Sequence, residues 1–120
     1  MSLLANSADA EGNRFQAVKA SLGKTYPRII KLYENNLPEK LSSLDRIIQG
    51  EIVGEDKRRW AHSFKSMSRT VGAAVLGDLL AQLEAQAAAD TPWSEANIAQ
   101  VRQLSADSLV ITQELAAESC

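Results

Sequence analysis

Apolar residues recur along this chain at steps of three and four, the spacing that lines one face of an α-helix. Phe15, Val18 and Leu22 form the first run, which Gly23 closes. A stronger run follows at Ile30, Tyr33, Leu37, Leu41, Leu44 and Ile48, and it crosses Pro38 without losing step. A proline inside a helix removes a hydrogen bond and crowds the preceding turn. The choice is therefore a kinked helix or a break at Asn35-Asn36, and the unbroken stripe favours the kink. Gly50 to Gly54 supplies a turn, and Glu55 and Asp56 then place negative charge where a helix N-terminus prefers it. The third helix is predicted to reach Gly72, with Trp60, Phe64, Met67 and Val71 as its apolar stripe. The fourth carries Leu76, Leu79, Leu80, Leu83 and Ala87 and ends before Asp90. Thr91-Pro92 reads as a cap with proline in the first turn. The last helix extends from there nearly to the end, with Ile98, Val101, Leu104, Ser108, Ile111 and Leu115 on a broad buried band.

Long amphipathic helices joined by short turns pack as an antiparallel bundle. The expected fold is all-α: an up-and-down four-helix bundle with a short additional N-terminal helix, forming one domain over residues 13–120. Residues 1–12 show no sustained period and read as a flexible lead-in, whose Met1-Ser2-Leu3 opening resembles a cloning remnant. Composition agrees with helices, since aromatics make up only 5% of a chain that is 45% hydrophobic and rich in Ala and Leu. A length of 120 residues leaves room for one core.

Charge and chemistry narrow the function. Thirteen basic and 15 acidic side chains give a net charge of −2, so no global field draws in nucleic acid or an anionic membrane. No apolar stretch approaches the roughly 20 residues of a membrane span, and the N-terminus lacks a signal-like pattern. A cytoplasmic chain is expected. The lone cysteine, Cys120, and lone histidine, His62, rule out a disulfide framework, a His-rich metal centre and an ordinary Cys/His nucleophile pair. No phosphate-binding glycine loop is present, so ATP is not an expected ligand. No other cofactor and no metal of its own is expected.

At about 100° per residue, His62 lies about 200° round the third helix from Trp60. Arg58, Lys65 and Arg69 fall at about 160°, 140° and 180°. The histidine thus sits in the middle of the polar face, ringed by cations. Spacing alone also fits an ordinary solvated face that contains a histidine. The cations nevertheless suit a phosphorylated imidazole, whose dianionic group Lys65 could reach from one turn away, with Arg69 and Arg58 as further candidates. Small neighbours, Ser66 and Ala73, would let another protein approach the ring.

The run Ala61, His62, Phe64, Lys65, Ser66, Gly72, Leu83 and Glu84 resembles the motif of histidine phosphotransfer domains from multistep two-component phosphorelays. One place departs: Ser66 stands where glycine is usual. The resemblance implies a phosphocarrier without kinase or phosphatase activity of its own. His62 would be the phosphoacceptor, Lys65 would stabilise the phosphate, and Glu84 would accept a hydrogen bond from Nδ1 to orient the ring. Implied partners are receiver domains and a sensor or hybrid histidine kinase, docking through a surface that includes Arg58, Ser66, Arg69, Gly72 and Ala73, with Ile29 or Leu32 as its apolar component. The rival reading is a helical interaction module of the same shape in which His62 is never phosphorylated.

Overall fold

The computed structural model describes residues 10–118, with side chains from Asn13 onward. Residues 1–9 of the expected lead-in and Cys120 lie outside the described residues. Five α-helices are present among those described: α1 (Ala10–Leu22), α2 (Tyr26–Ile48), α3 (Gly54–Thr70), α4 (Ala74–Ala88) and α5 (Glu95–Ala117), with a 3-10 turn (Gly23–Thr25) between the first two. No strand occurs among the described residues. Helix α1 begins at Ala10, ahead of the Asn13 start that periodicity suggests.

Helices α2 to α5 form the bundle, with α2 against α3 and α5, and α4 against α3 and α5. Helix α1 packs across α2, α4 and α5 and sinks Phe15 into the core. The molecule measures 43 × 25 × 22 Å, its long axis somewhat greater than the roughly 35 Å of its two 23-residue helices.

Helix α2 continues through Pro38, as the unbroken stripe predicts. It buries Tyr26, Ile30, Tyr33, Leu37, Leu44 and Ile47. Ile47 therefore takes the place expected of Ile48, which is 49% exposed. The last helix also differs from expectation. Its N-cap is Ser94, whose hydroxyl accepts a hydrogen bond from the Asn97 amide at 3.1 Å, and Thr91-Pro92 belongs to the turn before it. Both residues could serve as caps, and the chain's path out of α4 selects Ser94.

Three helices end in the same way. After α2, α3 and α4, the amides of Glu51, Ala73 and Thr91 return to the carbonyls of Arg46, Ser68 and Gln86 at 2.9, 2.9 and 2.7 Å. This Schellman closure needs a left-handed residue just past the helix, which favours glycine. Gly50 and Gly72 meet that need at φ +80° and +92°, and Asp90 adopts φ +57°. At Gly72 the geometry also excludes a side chain, because a Cβ there would stand 3.0 Å from both the Arg14 carbonyl oxygen and the Phe15 Cα.

The apolar core spans all five helices, from Phe15 through Phe64 and Leu80 to Leu115. Besides Ser68 on α3, its buried serines and threonine lie on α5, where the hydroxyls of Ser105 and Thr112 donate to carbonyls of their own helix, Val101 at 2.6 Å and Ser108 at 2.8 Å. Ser108 donates to the Ser105 carbonyl at 2.9 Å, so the Tyr33 hydroxyl, 2.6 Å away, is the donor in their shared bond. Among the described residues no helix is long and apolar enough to cross a membrane.

Candidate functional site

Helix α3 carries most of the site, and its buried face sets the orientation. Trp60, Ala61, Phe64 and Ser68 point inward, which leaves His62 on the opposite, solvated side. The Trp60 indole N–H donates to the Lys40 carbonyl of α2 at 3.0 Å, and its ring meets Phe64 edge-on at 5.4 Å. These contacts fix the rotation of α3 about its axis. The His62 side chain is 58% exposed.

Helix α4 supplies the residue that holds the ring. Leu83 is fully buried and its neighbour Glu84 stands at the α3–α4 seam, where its carboxylate crosses to α3. Glu84 Oε2 lies 2.9 Å from His62 Nδ1, and Glu84 Oε1 accepts from Lys65 Nζ at 2.6 Å. An Arg58 guanidinium nitrogen approaches the same Oε2 at 3.5 Å. The hydrogen bond from Lys65 is the largest influence holding this carboxyl below the ordinary carboxylate range; burial opposes it and the bond to His62 adds to it. Glu84 is thus an anion shared among three groups of one helix. With Oε2 as the acceptor, Nδ1 carries the proton and the Nε2 lone pair faces outward.

The residues expected at the site divide into two sets. His62, Lys65 and Glu84 come together. Lys65 is more enclosed than a surface lysine, at 18% exposure, because its ammonium is drawn into the seam. Arg58 adjoins them but is engaged chiefly by Glu55, whose two oxygens it grips through Nε at 2.8 Å and through a second nitrogen. Arg69 lies along the same seam, donates to Asp78 at 3.3 Å and fills the space above Gly77. Ser66 is exposed one turn beyond His62.

Gly72 and Ala73 correct the sequence reading. Both are buried in the α3–α4 turn, with α1 lying directly over Gly72, so neither presents a surface to a partner. Ala73 lies past the end of α3, and the left-handed turn at Gly72 breaks the helical rotation that would carry it to the His62 face.

Glu55 and Asp78, the counter-ions that occupy Arg58 and Arg69, were missed as members of the site. The three-residue spacing of Glu55 and Arg58 on one helix could have revealed the first. Asp78 is brought to Arg69 only by the antiparallel packing of α3 and α4.

A helical bundle that displays one histidine, pinned at Nδ1 by a carboxylate from the adjacent helix, defines the class of fold and site. The Hpt domain model matches residues 28–117, and the chain belongs to that family. The match takes in all of α3, α4 and α5 and nearly all of α2, and leaves α1 outside. No curated protein and no solved structure matches the chain. Membership carries the family's general role, histidine phosphotransfer in phosphorelays. Members act as phosphocarriers rather than enzymes, and two-component receivers and kinases are their kind of partner.

Proposed function

We propose that His62 accepts a phosphoryl group from the phospho-aspartate of a receiver domain, or from a kinase, and passes it to another receiver. The observation that carries this reading is the 2.9 Å approach of Glu84 Oε2 to Nδ1 of an imidazole that is otherwise open to solvent. Nε2 attacks phosphorus, a bond forms between them, and the bond from phosphorus to the aspartyl oxygen breaks to release the carboxylate. Glu84 holds the Nδ1 proton and stabilises the cationic phosphoimidazole. Lys65 is the nearest ammonium, and the arriving phosphoryl oxygens compete with Glu84 Oε1 for it. The receiver contributes the phospho-aspartate, its Mg²⁺ and most of the transition-state stabilisation.

The exposed sides of α2 and α3 form the docking surface. Ser66 adjoins the ring, and Ile29, Leu32, Met67 and Thr70 line a shallow groove of about 190 Å³ that begins farther along α3. Leu32 is 52% exposed there, which suits an apolar contact made only on docking. The reading places the protein in the cytoplasm with its relay partners.

Incubated with a phosphorylated receiver, the protein gains an acid-labile, base-stable phosphate, and His62→Gln abolishes it. Label that persists in His62→Gln would falsify the assignment.

A further inference from the structure

Charge is divided unevenly along this chain. Between Gly12 and Tyr33 lie five of its 13 basic side chains, Arg14, Lys19, Lys24, Arg28 and Lys31, and none of its 15 acidic ones. The net charge of −2 therefore conceals a basic corner, built by α1 and the start of α2, on an otherwise acidic molecule. Two of these cations are engaged: Lys19 with Glu118 at 3.1 Å and Lys31 with Glu34 at 3.6 Å. Lys24 and Arg28 are exposed and form no ion pair among the described residues.

Position gives the corner its meaning. Arg28 precedes Leu32 by one helical turn, and Ile29 and Leu32 border the groove on α2. On the other side of Arg28, Lys19, Lys24, Gln16 and Pro27 line an open cleft of about 560 Å³. Cations, groove and the His62 face thus form one continuous surface along α2 and α3.

We propose that this corner recognises an acidic face on the receiver, which seats an apolar patch in the Leu32 groove and places carboxylates beside Lys24 and Arg28. The inference rests on the phosphotransfer reading and names the chemistry of the partner it selects. Exposed charges flanking an apolar contact act mainly on association rate and partner choice, and salt screens them. Outside this corner the negative charge is concentrated on α4 and α5, whose faces disfavour such a receiver, while the cations of α3 lie on the His62 face that it approaches.

The test compares Lys24→Gln/Arg28→Gln with Arg46→Gln/Arg102→Gln, which removes the same charge elsewhere. Association with purified receiver domains of the source organism is followed over a range of salt, in a His62→Gln background so that no transfer intervenes. Transfer is measured separately with His62 intact. The proposal expects the corner variant to associate about three- to tenfold more slowly at low salt, with a flattened salt dependence, while the control variant stays within about twofold of the parent. Equal behaviour of the two variants, with transfer intact, overturns the acidic-face proposal and leaves the phosphotransfer reading standing. Failure of every receiver to bind or exchange phosphate overturns both. Salt-sensitive capture by phosphatidylcholine vesicles containing phosphatidylglycerol, without charge-dependent receiver binding, also overturns it and makes the corner a lipid surface.

Discussion

At the scale of single residues, the proposed chemistry depends on how one carboxylate is shared. Glu84 serves a ring nitrogen and an ammonium through different oxygens, so the histidine is oriented without consuming both acceptors. Removing a residue that orients a reacting ring typically costs about ten- to a hundredfold in activity. Glu84→Ala is expected to slow phosphoryl transfer by about tenfold or more, whereas Glu84→Gln keeps an acceptor oxygen and most of the rate. Measuring transfer rates beside far-ultraviolet circular dichroism separates this loss from unfolding. Because Lys65 and His62 hold the Glu84 carboxyl below its ordinary range, its stabilising contribution is complete above that range and declines only as pH falls through the lowered value. The ring anchor thus persists in mildly acidic solution. A carbon-13 spectrum of the labelled Glu84 carboxyl would refute this if the group titrated at or above the ordinary carboxylate range.

At the scale of elements, helix ends decide where faces point. The His62 face was legible because Trp60, Phe64 and Met67 keep helical spacing on α3 and the opposite side must then be wet. The end of α3 near Gly72 was legible as well, but the path of the chain beyond it was not, since periodicity carries no information about how a left-handed residue reverses the chain. The same limit misplaced the cap of α5. Ser94 holds the first turn there, so Ser94→Ala is expected to lower stability by about 1 kcal/mol, Ser94→Asp to retain most of it, and Thr91→Ala to change little. Urea denaturation of the three variants checks the order. An equal loss in Thr91→Ala would restore the cap to the place read from the sequence.

At the scale of the whole molecule, α2 and α5 are joined through a buried hydroxyl chain rather than apolar contact alone. Both tyrosines of the protein, Tyr26 and Tyr33, are buried, and desolvation pushes each phenol up to about 12 from 10.0. Glu118 reinforces the shift at Tyr26, and the Ser108 hydrogen bond partly opposes it at Tyr33. The fold thereby favours the neutral phenol. Its contribution is complete below pH 10.0 and is lost as pH rises through about 12. Tyrosinate absorbance should show no step near pH 10 and should rise together with loss of helix near pH 12. A step near pH 10 in folded protein would mean that at least one phenol reaches solvent.

The amino-acid sequence by itself determined the helices, their apolar faces and the solvated position of His62 within its ring of cations, because all of these follow from side-chain spacing along one helix. The motif resemblance already implied that Glu84 holds His62 Nδ1; only tertiary structure decided that the same carboxylate also takes Lys65 across the seam, that Asp78 claims Arg69, and that α1 lies over Gly72. Those pairings depend on the register between antiparallel helices and on left-handed turns, and no helical period encodes either.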